Sequence, residues 1–172
     1  PMIFFTSDTH FGHSNIRRYC NRPFQSIEEH DECLVQNWNS LVSDSDVVYH
    51  LGDFALKNQL KTIKRLKRKR LVLIEGNHDR VSGEFGECFD EVLDVKMLKV
   101  DGFLFWLSHY AHQVWPSRHH GALHLFGHSH GTLTFSAPGS MDVGVDNRWK
   151  FKLDRTHRES FRPWELGEVR RL

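Results

Sequence analysis

The chain has 172 residues, enough for one domain with a full hydrophobic core. Lysine plus arginine (23) nearly balances aspartate plus glutamate (22), so the formal net charge of +1 excludes a long-range basic field as the main attraction for nucleic acid. The unusual count is 13 histidines, because imidazole is the commonest metal ligand and the side chain most used as acid or base near neutrality.

Cys20, Cys33 and Cys88 are odd in number and lack Cys-x-x-Cys spacing, which argues against a disulfide framework or a thiolate zinc site and fits a reducing cytoplasm. There is no apolar run of about 18 residues and no charged-then-apolar leader, so neither a membrane span nor secretion is expected. Pro1 ahead of Met2 reads as a remnant of recombinant expression, and the expected domain is 2–172.

In chain order, the apolar Ile3 to Thr6 predicts a strand that enters the loop Ser7 to Ser14. Ser26-Ile27-Glu28-Glu29 has capping-box spacing, and Ile27, Leu34, Trp38 and Leu41 share one helical face, predicting a helix over Ile27 to Val42. A strand Val47 to His50 follows, then a second helix marked by Leu56, Leu60, Ile63 and Leu66, then a strand Leu71 to Ile74. Alternating strands and helices predict a parallel sheet, whose ligands collect at the carboxyl ends of the strands. Beyond Glu91 the pattern turns β-rich: Glu91 to Val100, the hairpin turn Asp101-Gly102, Phe103 to Ser108, and short strands at Ala122 to Phe126, Thr132 to Phe135 and Met141 to Val145. Pro163 to Val169 is expected to be a short helix starting at its proline.

Five predicted strands end in polar side chains. Asp8-Thr9-His10 follows the first, Gly52-Asp53 the second, Gly76-Asn77-His78-Asp79 the third, and Ser108-His109 and Gly127-His128-Ser129-His130 come later. Asp8, His10, Asp53, Asn77, His109, His128 and His130 make a mixed oxygen and nitrogen set suited to manganese, iron, zinc or nickel. Seven ligands exceed the needs of one ion, and two ions sharing a carboxylate would use them all. Such a pair activates water and neutralises charge in phosphate ester hydrolysis.

These five motifs, in this order from Asp8 to His130, resemble the calcineurin-like metallophosphoesterases, and Asp8-Thr9-His10-Phe11-Gly12-His13 is similar to small uncapped bacterial and phage members. The resemblance implies a four-layer αββα sandwich with mixed sheets. It also implies two divalent transition metal ions, manganese first. Asp8, His10 and His130 would hold one ion, Asn77, His109 and His128 the other, with Asp53 between them. In-line attack by a hydroxide bridging the ions would be assisted by His78, with Asp79 as its partner.

Gly52-Asp53 is followed by Phe54-Ala55-Leu56-Lys57, not by the Asp-Arg of the protein phosphatase branch, and Leu56 stands about where the repair-nuclease branch has a second histidine. Both departures point away from those branches. With no room for a large cap, the expected substrate is a phosphodiester, a nucleotide or a nucleic-acid fragment, with His13 and Arg17 as candidate substrate contacts. The cluster Arg17, Arg18 and Arg22 is a candidate for a second phosphate or a nucleotide, salt bridges being the structural alternative. The rival reading is a catalytically silent scaffold of the same fold, which should have lost ligands. His50 reads as a core histidine, His112 as the rival of His109, and Tyr110 and Trp115 as rings able to stack on a base. The run Lys64 to Arg70 reads as a solvated helix end.

Overall fold

The structure, a computed structural model, describes residues 1–147 and 158–171. The apolar runs of the first half form a sheet. Strand β1 (Ile3–Thr6) pairs in parallel with β2 (Val47–His50), β2 with β3 (Arg70–Ile74), and β3 with β4 (Glu91–Leu93). The second sheet contains β5 (Val95–Val100), β6 (Phe103–Ser108), β7 (Leu123–Phe126) and β8 (Ser140–Asp142) in that order, with the first pair antiparallel and the others parallel. Strand β9 (Trp164–Glu165) returns antiparallel to β1, so both sheets are mixed.

Side-chain alternation assembles the layers. Phe4, Val48, Leu71 and Leu73 face the helical side and pack with Leu34, Val35 and Trp38 of α2 (Ile27–Leu41) and Ile63 of α3 (Gln59–Ile63); α1 is the single turn Ile16–Tyr19. Phe5, Tyr49, Val72 and Ile74 point the other way and meet Phe105, Leu107 and Leu125 of the second sheet. Each fully buried apolar side chain of this size contributes about 1.5–3 kcal/mol relative to exposure, so sandwiching the sheets is what holds β1 to β3 in register. The outer face of the second sheet is covered by Trp115, Ala122 and Ala137 packed on Leu104 and Trp106. The mixed α/β architecture expected from the sequence is the one that forms.

Boundaries differ where tertiary bonds compete. Helix α2 matches its prediction: Ser26 Oγ accepts from the Glu29 N–H, while the Glu29 carboxylate reaches back one residue further, to the Gln25 N–H. The second helix is shorter than predicted. Phe11 N–H donates to the Phe54 carbonyl and Leu56 N–H to the Phe11 carbonyl, which ties residues 54–56 to the loop after β1. Glu91 to Val100 is not one strand, because the chain changes sheets at Asp94. Thr132 to Phe135 forms no strand; Thr132 bonds locally to the Ser129 carbonyl, and Leu133 and Phe135 are exposed. The predicted strand Met141 to Val145 is Ser140–Asp142 only, because Val145 N–H crosses to the Ser7 carbonyl of the first sheet.

Helix α4 spans Gly83–Gly86, and α5 spans Leu166–Val169. The last helix starts three residues after Pro163, because Trp164 and Glu165 pair with β1 and Glu165 forms a reciprocal cap with Glu168. The basic run behaves as a helix end: Arg68 donates to the Ile63 and Leu66 carbonyls, while Arg65 and Lys64 pair with Glu32 and Glu84.

Candidate metal centre

The loops after β1, β2, β3, β6 and β7 converge at one end of the sandwich, where the sheets are joined by a bridge between Ser7 and Gly144. Ligand atoms of Asp8, His10 and His130 lie within 4.8 Å of one another, and those of Asp53, His109 and His128 form a second such group. Asp53 stands between them: its Oδ2 is 3.5 Å from His10 Nε2 and 3.5 Å from His109 Nε2. Asn77 Oδ1 completes the second group at 3.2 Å from His109 Nε2 and 3.0 Å from His128 Nδ1.

Two observations fit these groups to a cation. Asp8 Oδ1 and His10 Nε2 are buried yet have no hydrogen-bond partner, an arrangement that is costly unless something fills it. They face each other at 3.8 Å, too far for a mutual hydrogen bond. The backbone is strained at the same places: Asp8, His10, Asp53, His128 and His130 all have φ between 49° and 63°. Left-handed backbone at non-glycine residues costs about 1–3 kcal/mol each and clusters at functional sites.

Close packing also explains the glycines that precede ligands. A Cβ on Gly52 would strike the His109 ring, and one on Gly127 would strike Ser7 and the Asp8 carboxylate.

Burial and neighbouring charges set the protonation of these groups. Burial raises the Asp8 carboxyl to about 7, even though His130 and His109 pull it down. Burial, reinforced by Arg22 and His130, holds His10 well below its ordinary value, so it is a neutral imidazole ready to donate a lone pair. Burial also raises Asp53, but the facing His109 ring and the His78 N–H more than offset it and keep the carboxyl below its usual range. Burial lowers His130, yet Asp146, Cys20 and Asp8 outweigh it and push the imidazole up to about 11.

These shifts fix a pH dependence. Raised His130 and His109 contribute stability below their ordinary value of 6.5 and lose it as pH rises through their folded values. His50 and His124, lowered by burial to about 3 and about 4, stay neutral through that window and contribute no slope. The thermal midpoint of chelator-treated protein should therefore fall between about pH 7 and about pH 10. A midpoint that rises over that range would contradict this charge arrangement.

A family model for the calcineurin-like phosphoesterase superfamily domain matches residues 2–143. The chain belongs to this superfamily. It is 39% identical over 132 residues to the uncharacterized protein MJ1445 of Methanocaldococcus jannaschii, covering 74% of this chain and 69% of that protein. It is 29% identical to the gene 66 protein of Mycobacterium phage L5, covering 83% and 85%. Among solved structures, a protein of unknown function from Aquifex aeolicus, AQ665, superposes with a TM-score of 0.71 at 25% identity over 99% of this chain and 98% of that one. A novel archaeal phosphodiesterase shares the fold, with a TM-score of 0.51 at 17% identity over 96% and 100%.

In this member of the superfamily the remaining predicted residues sort clearly. His78 and Asn77 are exposed at the mouth of the centre, and the His78 ring lies 5.6 Å from that of His10 and 6.0 Å from that of His13. His13 and His78 line a cavity of about 680 Å³ beside His10 and His130, with Ile16, Tyr19 and Leu133 as its apolar wall. Arg17 turns away and donates to the Phe24 carbonyl. Asp79 is buried, and its oxygens accept the N–H groups of Asp53, Phe54 and Gly76. It therefore clamps two ligand loops together and is occupied by backbone, not by the His78 ring.

His50 is a satisfied core histidine: Nδ1 accepts from the Gly52 N–H, which leaves Nε2–H to donate to Thr9 Oγ1 at 2.9 Å. His112 accepts from Trp106 Nε1 and stacks on His124, outside the ligand groups. Trp115 is packed and donates to the Ala122 carbonyl, so it offers no open face to a base. Tyr110 is 49% exposed, with its ring 4.6 Å from that of His128.

Sequence reading missed Asp146 and Asp142 and misplaced Arg22. Arg22 had stood with Arg17 as a candidate for a phosphate contact, but it is buried and paired with Asp146. Asp142 is buried and accepts from the Gly131 and Gly144 N–H groups, bracing the loop that carries His128 and His130. The available signal was the alternation Asp142, Gly144, Asp146 starting on the last residue of a strand, a pattern that by itself also fits an ordinary turn.

Proposed function

We propose that the chain is a dinuclear metal-dependent phosphoesterase acting on a phosphodiester or nucleotide. The observation that supports this reading is the position of Asp53 Oδ2, equidistant at 3.5 Å from one histidine of each ligand group. Asp8, His10 and His130 would hold one divalent ion and Asn77, His109 and His128 the other, His128 through the Nδ1 that stands beside Asn77 Oδ1, with manganese the expected metal and iron, zinc or nickel as alternatives of similar ligand preference. Bound there, the pair would acidify water and neutralise the phosphoryl oxygens.

The chain's own residues supply the rest. His10 and His109 present neutral or neutralisable nitrogens from the loops after β1 and β6, and the Asp53 carboxylate stands between the two rings. His78 has its N–H anchored on Asp53 Oδ1 at 2.9 Å, which fixes the base of its side chain while the ring stays in the open cavity. There it can carry a proton to a departing ester oxygen. His13, on the same wall, is a candidate contact for the phosphoryl group, and the apolar Ile16, Tyr19 and Leu133 suit an organic ester group.

The test is hydrolysis of bis(p-nitrophenyl) phosphate against p-nitrophenyl phosphate by chelator-stripped protein with manganese restored. Diester turnover that appears only with metal is the expected result. Preference for the monoester would change the substrate class, and silence on both with two ions bound would favour the scaffold reading.

A further inference from the structure

Arg22 and Asp146 form a buried ion pair that the proposed reaction does not use. They are 124 residues apart in sequence, and both side chains are fully shielded from solvent. The guanidinium spends all five N–H groups: Nε and Nη2 on the Asp146 carboxylate at 2.9 and 2.7 Å, Nη2 on the Asp8 carbonyl at 2.6 Å, and Nη1 on the Thr9 carbonyl at 3.0 Å and His30 Nε2 at 2.8 Å. His30 can accept there because its Nδ1 faces Asp31 Oδ1 at 2.8 Å. The same Asp146 carboxylate takes the His130 Nδ1–H at 2.6 Å.

A buried ion pair contributes little net stability compared with apolar packing of similar volume, so its presence calls for another reason. The four candidate histidine ligands suggest one. His109 Nδ1 lies against a neutral acceptor, the Leu51 carbonyl, at 2.6 Å. His10 Nδ1 lies 3.4 Å from the neutral ring nitrogen Nδ1 of His13, and His128 turns its Nδ1 toward Asn77 Oδ1 inside its own ligand group. His130 is backed by a full carboxylate, itself locked in place by a guanidinium that also grips the Asp8 and Thr9 backbone.

We infer that Arg22 and Asp146 are positioning residues for the ion site of Asp8, His10 and His130: they hold His130 with Nδ1 protonated and Nε2 turned toward Asp8, and so set that site's metal affinity independently of the other. The inference rests on the dinuclear reading. A carboxylate behind a metal-binding imidazole fixes its tautomer and orientation and increases its donor strength, and removing such a partner typically costs about 10–100-fold in metal affinity.

The experiment is calorimetric titration of the chelator-stripped full chain with Mn²⁺, paired with electron paramagnetic resonance to report whether the two bound ions are exchange-coupled. Asp146→Asn should weaken one equivalent by about 10–100-fold, leave the other unchanged, and replace the coupled spectrum by that of an isolated ion at one equivalent. Because that variant leaves Arg22 buried without its counter-ion, the double variant Arg22→Gln with Asp146→Asn removes both charges, and its fold is followed by circular dichroism and melting. It should show the same selective loss. Wild-type affinity at both equivalents in either folded variant, or an equal loss at both, would overturn the inference. Wild-type protein that binds fewer than two ions would overturn the dinuclear reading instead, so the two failures are distinguishable.

Discussion

Asp53→Asn should abolish turnover and strip metal from both ligand groups at once. The substitution keeps the size of the side chain and one oxygen, so folding and the His78 N–H contact can survive, but it removes the negative charge lying between His10 and His109. An ion pair contributes several kcal/mol of transition-state stabilisation, so losing its shared ligand should lower kcat/KM by about 10³-fold or more. Elemental analysis after gel filtration in dilute Mn²⁺ gives the second reading: both equivalents should fall together. Retention of one full equivalent would mean that Asp53 belongs to a single site, and retention of both would remove it as the shared ligand. Asp8→Asn is the informative contrast, because Asp8 lies in one group only and its loss should spare the ion held by Asn77, His109 and His128.

What made this site legible in the sequence is that each ligand loop interrupts an apolar strand at a fixed place. Asp8, Asp53, Asn77, His109 and His128 all sit within three residues of a strand end, where the chain leaves the core and side-chain type is no longer set by packing. The strands were legible for the same reason, since β1, β2, β3, β6 and β7 are runs too apolar to lie anywhere but between layers.

The misses share a different physics. Asp146 acts on His130 through a contact spanning 16 residues and on Arg22 through one spanning 124, and no local periodicity encodes a pairing of that range. Arg22 stood in a basic cluster with Arg17 and Arg18, and only burial separates it from its neighbours. The division at Asp94 was hidden because Glu91 to Val100 contains no glycine or proline to mark a break where the backbone changes sheets. The second helix was overestimated because residues 54–56 give their hydrogen bonds to the loop that carries His10, which outweighs their helical spacing.

His78→Ala should leave both metals in place and lower kcat by about 10²–10⁴-fold, the range of a positioned general acid. Its backbone N–H, which holds Asp53 Oδ1, is untouched by the substitution, so metal content separates a chemical role from a structural one. The leaving group separates the chemical roles. A residue that protonates the departing oxygen matters most when that oxygen is a poor leaving group, so the defect should be smaller for p-nitrophenyl esters than for alkyl or nucleoside esters. An equal defect across the series would assign His78 to stabilising phosphoryl charge, and full activity on every ester would remove it from the reaction. Asp79→Asn makes the complementary case. One of its two oxygens would become an N–H₂ donor facing the N–H groups of Asp53, Phe54 and Gly76, so the loops bearing Asp53 and Asn77 would lose their clamp. Its activity loss should follow metal content and be indifferent to the leaving group. A leaving-group dependence in Asp79→Asn that matched His78→Ala would instead make the two a functional pair.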